Sequence, residues 1–195
     1  MSTPSTSVAA ILLSGGASSR MGQDKTQMIV EEMTLAVRTA ALLQRVVETA
    51  VEVGPGVSGL PTTLEDPPRE GPLAAIATGA HWLRKRGHTG STLVIACDLP
   101  RLTEPLLRFL VEFDAVGSVV PVVQGRPQPL CAKWCHRDLD GAGQFLALGV
   151  RSLRHLYDQP DIRLLDESQW LHVAREDDFF DIDTPADLQQ FRLSS

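Results

Sequence analysis

Apolar residues fall along this chain in two kinds of run, and their spacing predicts strands alternating with helices. Val8-Ala9-Ala10-Ile11-Leu12-Leu13 is continuous and closes on Ser14-Gly15-Gly16. A run of that length bounded by glycines suits a strand buried on both faces of a parallel sheet. Thr92-Leu93-Val94-Ile95-Ala96 is a second such run, ending at Cys97-Asp98-Leu99-Pro100. Between them Leu35, Leu42, Leu43 and Val46 recur at helical spacing, with Arg38, Gln44, Arg45 and Glu48 opposite. That pattern predicts an amphipathic helix lying over a sheet. Short strands are expected at 50–53 and 62–65, split by the turn-rich Gly54-Pro55-Gly56. A helix over 72–86 has Pro72 in its first turn, where the missing N–H costs nothing. Further on, helices are expected at 104–113 and 152–157 and strands at 118–123 and 129–133. A last helix starts at Thr184-Pro185, with Thr184 as its N-cap and Pro185 at its first position.

This alternation predicts an α/β fold: three layers, a mostly parallel twisted sheet with helices on both faces, Rossmann-like. All 195 residues fit a single domain, with the polar residues 1–7 disordered. Such sheets bind ligands beyond the carboxyl ends of their strands. The two most apolar strands end in Ser14-Gly15-Gly16 and Cys97-Asp98. If they are neighbours in the sheet, both clusters face one crevice.

Composition narrows the function classes. Apolar residues make up 43% and charged residues 22%, which excludes disorder as the main description. A net charge of −6 argues against a nucleic-acid coat. No run reaches the ~18–20 apolar residues of a membrane span. Residues 1–7 lack the basic start of a secretory signal, so a cytoplasmic location is expected. Cys97, Cys131 and Cys135 are too few and too odd for a disulfide framework and read as reduced thiols. Cys131-x-x-x-Cys135-His136 lacks the second ligand cluster that zinc requires. The five histidines show no ligand spacing and none sits beside a plausible nucleophile.

The segment from Leu13 to Lys25, Leu-Ser-Gly-Gly-Ala-Ser-Ser-Arg-Met-Gly-Gln-Asp-Lys, carries the most chemistry. Its glycines let backbone approach a ligand, successive N–H groups can form a nest for phosphate oxygens, and Arg20 and Lys25 add charge. It is neither a Walker loop nor the Gly-x-Gly-x-x-Gly dinucleotide fingerprint. A mobile surface loop is the plain alternative. Asp98, held rigidly at a strand end, suits a Mg²⁺ ligand, and equally a turn or the cap of the helix that follows. Asp66 in Leu64-Glu65-Asp66-Pro67-Pro68 reads locally as a turn residue.

The 13–25 segment resembles the signature of the molybdenum cofactor guanylyltransferases, a family of nucleotidyltransferases with the pattern Leu-Ala-Gly-Gly-x-Ser-x-Arg-Met-Gly-x-Asp-Lys. The similarity continues through Gly71-Pro72-Leu73, Cys97-Asp98-Leu99-Pro100, Arg126-Pro127-Gln128-Pro129-Leu130, Arg151-Ser152-Leu153 and Asp181-Ile182-Asp183-Thr184-Pro185-Ala186-Asp187-Leu188. It thus spans residues 11–191 in the family's order. The resemblance implies transfer of GMP from GTP to the terminal phosphate of molybdenum-molybdopterin, with release of pyrophosphate and with Mg²⁺ as cofactor. It implies catalytic roles for Lys25, Asp98 and Arg20. Leu13, Ser14, Gly15, Gly16, Lys25, Asp66 and Asp98 would bind the nucleotide, Leu13 to Gly15 through backbone and small side chains. Asp98 and Asp183 would hold the metal, and Arg126 and Gln128 would face the acceptor. Partner proteins that insert molybdenum or receive the finished cofactor are also implied. A sister enzyme using CTP or another phosphorylated acceptor, and a non-catalytic cofactor chaperone, are the alternatives. The chain departs from the family pattern at Ser14 (usually alanine), Gly54 (asparagine in some members), Ala75 (glycine) and Asp183 (asparagine), and Glu31-Glu32-Met33 lacks the usual glycine.

Overall fold

The computed structural model describes residues 7–15, 28–30, 32–68 and 70–193. The disorder expected of residues 1–7 falls, apart from Ser7, outside the described residues. Strand β1 (Ala9–Leu13) is wholly buried, as its unbroken apolar run requires. A short hairpin of β2 (Ile29–Val30) and β3 (Met33–Thr34) leads into α1 (Leu35–Gln44). The Thr34 hydroxyl caps α1 by accepting from the Val37 amide at 3.3 Å. Then come β4 (Thr49–Val53), β5 (Thr62–Thr63), α2 (Pro72–Lys85), β6 (Thr92–Ala96) and α3 (Glu104–Glu112). Pro72 opens α2 and the bounds of β6 match the apolar run, so local chemistry alone defined both.

The second half is built from β7 (Val119–Val123), β8 (Arg126–Pro127), β9 (Cys131–Trp134), α4 (His136–Ala147) and α5 (Arg154–Tyr157). After these come β10 (Arg163–Leu165), α6 (Glu167–Trp170), a 3-10 turn at Glu176–Phe179 and α7 (Pro185–Leu193). Thr184 caps α7 as expected, through a reciprocal pair: its hydroxyl accepts from the Asp187 amide at 3.2 Å, and Asp187 Oδ2 accepts the Thr184 amide at 2.6 Å.

The main sheet runs β10-β7-β9-β6-β1-β4-β5, with β8 paired to β7. Pairs β1–β4, β1–β6, β4–β5 and β7–β10 are parallel, and β9 is antiparallel to both β6 and β7. The antiparallel insertion has a local cause. The β7–β8 hairpin turns on Gln124 (φ 49°) and Gly125 (φ 74°), too tight for a crossover to a parallel strand. Helices cover both faces. Leu12, Leu93 and Ile95 face α1 and α3 through Leu43, Leu106 and Leu110. Ile11, Leu13, Val51 and Val94 face α2 and α4 through Ile76, Leu83 and Leu139. A smaller cluster joins Met28, Val30 and Leu35 to Ile182, with Phe180, Leu188 and Phe191 packed against it. It fastens the segment before α7 to the body of the fold. No helix among the described residues is long and apolar enough to cross a membrane.

Candidate functional site

The two polar clusters that end β1 and β6 lie side by side. Leu13 pairs with Ala96 in parallel register, and the Cys97 amide donates to the Leu13 carbonyl at 3.0 Å. On the other side Leu13 pairs with Val53, so Gly54 flanks the same turn. Parallel strands present their carboxyl ends at one edge. Along that edge the order is Asp98 after β6, Ser14-Gly15 after β1, Gly54 after β4 and Asp66 beyond β5. With strands about 4.8 Å apart, β6 to β5 spans about 14 Å. Strand β7 runs parallel to β6, since β9 is antiparallel to both, so the β7–β8 hairpin carrying Arg126 and Gln128 emerges at the same edge.

Asp98 is half-buried at the head of the turn after β6, and its carbonyl accepts the Ile182 amide at 3.0 Å. That bond brings the exposed Asp183, the next residue, beside Asp98. The pairing is reinforced from below. Arg101 makes an ion pair with Asp177 and lies over the rings of Phe180 and Phe191, and the Thr103 hydroxyl donates to Asp178 Oδ2 at 2.8 Å. No cluster of three or more metal-binding side chains exists among the described residues. The chemistry of the donors fits Mg²⁺, which takes one or two carboxylates and completes its shell with phosphate oxygens and water.

Asp66 is exposed on the loop after β5, where it lines a groove of about 530 Å³ with Ala74, Ala77 and Trp82 of α2. Gln128 donates from its side chain to the Arg126 carbonyl at 3.2 Å, and Arg126 is exposed. Gly16, Arg20 and Lys25 lie outside the described residues.

The structure departs from the expected use of the Ser14 side chain, while Leu13 keeps the backbone role expected of it. The Leu13 side chain is buried in the core, so only its backbone borders the crevice. The amides of Ser14 and Gly15 both donate to the Val53 carbonyl at 3.2 Å, and the Ser14 hydroxyl turns inward to Glu52 Oε1 at 2.5 Å. The cause is Glu52, a residue that local pattern did not single out. It is fully buried, directly opposite Leu12 in the sheet. Besides Ser14, its carboxylate accepts the amides of Gly56 (2.9 Å), Val57 (3.1 Å) and Ser58 (2.9 Å) and the Ser58 hydroxyl (2.5 Å). Burial raises the carboxyl's pKa, but these hydrogen bonds outweigh it and leave the group below its usual range. The available signal was a carboxylate inside the otherwise apolar Ala50-Val51-Glu52-Val53.

The same geometry explains the glycine at 54. A Cβ there would stand 2.1 Å from Ser14 Oγ and 2.7 Å from the Gly15 amide nitrogen. The turn after β1 and the loop after β4 touch too closely for any side chain between them.

A model of the MobA-like NTP transferase domain matches residues 10–164. A protein of Carboxydothermus hydrogenoformans named "Probable molybdenum cofactor guanylyltransferase" is 27% identical over 187 residues, covering 92% of either chain. One of the same name from Bacillus cereus is 28% identical over 169 residues, 80% of this chain and 82% of its own. Among solved structures, molybdopterin-guanine dinucleotide biosynthesis protein A from Archaeoglobus fulgidus superposes with a TM-score of 0.77 at 22% identity. The match covers 93% of this chain and 95% of that one, so the two share a fold.

Proposed function

We propose, from the premise that this chain belongs to the MobA-like NTP transferase family, that it transfers GMP from GTP to the terminal phosphate of molybdenum-molybdopterin. Family membership makes it a nucleotidyltransferase; the nucleotide and the acceptor are our reading. The observation that carries it is the order of groups along one sheet edge. Asp98 stands between a wing formed by Ser14-Gly15, Gly54 and Asp66 and a second wing formed by the β7–β8 hairpin. A two-substrate transfer needs that division, with the donor nucleotide on one side and the acceptor on the other.

In the reaction an acceptor phosphate oxygen attacks the α-phosphorus of GTP. The new P–O bond forms as the bond from the α-phosphorus to the bridging oxygen breaks, and the electron pair leaves with pyrophosphate. The protein's work is positioning and charge stabilisation. Arg20 and Lys25 would carry triphosphate charge, Asp66 would border the nucleoside, and Arg126 and Gln128 would orient the acceptor. Asp98 and Asp183 would hold Mg²⁺, which when bound screens the phosphate oxygens from an anionic attacker. Names of the curated relatives support this substrate pair.

Calorimetric titration with GTP, CTP and ATP, each with Mg²⁺, tests the reading in wild type and Asp98→Ala. GTP is expected to bind in preference, and turnover of Asp98→Ala should fall about 100-fold or more. Preference for CTP would move the donor assignment to the sister chemistry. Near-normal turnover in Asp98→Ala would overturn the site.

A further inference from the structure

Glu52 accepts five hydrogen bonds, yet it is fully buried beneath the crevice edge. A carboxylate inside an apolar layer costs several kcal/mol unless donors surround it. Here five donors do, and they come from two segments: Ser14 from the turn after β1, and Gly56, Val57 and Ser58 from the loop after β4. The Ser14 and Gly15 amides bind the same neighbouring strand through Val53, and Gly54 packs against Gly15 without room for a Cβ. Turn and loop are therefore one rigid floor, fastened from beneath by a single side chain.

The floor's chemistry indicates which part of a nucleotide lies over it. Residues 53–60, Val-Gly-Pro-Gly-Val-Ser-Gly-Leu, contain no cation, and the carboxylates Glu65 and Asp66 follow. This floor itself offers no cation to hold triphosphate charge, which belongs on the β6 side, near the candidate metal carboxylates. An uncharged, backbone-lined surface suits a base and ribose. Resting on the nucleotidyl-transfer reading above, we propose that Glu52 is a positioning residue for the nucleoside half of the donor. By fastening the 13–15 turn to the 54–58 loop, it sets the surface on which base and ribose lie, and it acts with no direct contact to the nucleotide. The preformed floor removes the ordering cost that two separate loops would add to binding.

The donor pattern says which substitutions probe this. In Glu52→Gln, an amide nitrogen at the Oε2 position keeps the three bonds to Oε1, and the Ser58 hydroxyl can rotate to accept. The Ser58 amide then meets another donor, so one bond is lost and the loop must shift. Ser58→Ala removes a single hydroxyl and leaves four donors on the carboxylate, a gentler change that preserves the fold if Glu52→Gln does not.

The experiment titrates GTP and, separately, inorganic tripolyphosphate, each with Mg²⁺, into wild type, Glu52→Gln and Ser58→Ala. Thermal melting of each protein is recorded in parallel. GTP affinity should fall about tenfold in Glu52→Gln and about threefold in Ser58→Ala, with tripolyphosphate affinity within twofold of wild type. Equal losses for both ligands would make Glu52 a general structural residue and overturn the proposal, as would unchanged GTP affinity in both variants. Failure of wild type to bind any nucleoside triphosphate would instead overturn the nucleotidyl-transfer reading, and this inference with it.

Discussion

Thr103→Val isolates the bond that seats the second candidate metal carboxylate. Thr103 heads α3 but makes no capping bond with its own helix, so its hydroxyl serves Asp178 alone, at 2.8 Å. Asp178 is 8% exposed and lies in the 3-10 turn that leads through Ile182 to Asp183. Valine keeps the shape and removes the donor. A hydrogen bond to a charged group contributes about 1.5–3 kcal/mol, and the lower figure applies here because a sliver of solvent can reach the carboxylate. A loss of about 1.5 kcal/mol in a chain of this length lowers the melting temperature by about 3–6 °C. If the strain reaches Asp183, the half-saturating Mg²⁺ concentration for pyrophosphate release rises up to about tenfold, with turnover at saturating Mg²⁺ nearly kept. Arg45→Ala, which breaks only an exposed ion pair with Glu104, should change stability by less than about 0.5 kcal/mol and is the control. Reduced stability with an unaltered Mg²⁺ requirement would refute the coupling to Asp183. No change in either would refute the bond's importance altogether.

Two other perturbations probe the core and a buried charge. A Cβ at Gly79 of α2 would stand 2.8–2.9 Å from three side-chain atoms of Ile11 in β1, so Gly79→Ala should destabilise despite the ~1 kcal/mol helix gain, since overpacking costs about 1–3 kcal/mol. In denaturant melts, Gly79→Ala with Ile11→Ala should lose less than the sum of the single changes, by about 1 kcal/mol; strict additivity would refute the contact. Lys133 is buried and donates to the carbonyls of Phe113 (2.5 Å) and Val111 (3.3 Å) at the end of α3; burial lowers its pKa from the ordinary 10.5, against a smaller raising effect of Asp114. Between the folded value and 10.5 the unfolded chain binds more protons. Wild-type stability relative to Lys133→Met should therefore rise with pH in that window, by at most about 1.4 kcal/mol per pH unit, and a flat difference would refute the shift.

What the sequence by itself determined were features carried by neighbours along the chain. The unbroken apolar runs marked β1 and β6, Pro72 marked the start of α2, and Thr184-Pro185 marked the start of α7. Each depends on a few consecutive residues and on the dihedral or burial preference they share. The polar clusters after β1 and β6 were legible for the same reason. Helix α4 was not: Gly141 and Gly143 interrupt it, and Leu139 and Ala142 hold it only because α2 lies against them. The antiparallel entry of β9 between β6 and β7 was equally hidden, since pairing across a sheet leaves no periodicity in the strand itself. The pairing of Asp98 with Asp183 was legible through the family resemblance, but only the tertiary structure shows the Ile182 amide bond to the Asp98 carbonyl behind it and the donors that Glu52 gathers from two loops. A carboxylate in a sequence reads as a surface charge. Its role follows from the donors the fold gathers around it: the 56–58 loop must curl back over β4, and Ser14 arrives from a strand that pairs only after the chain has folded.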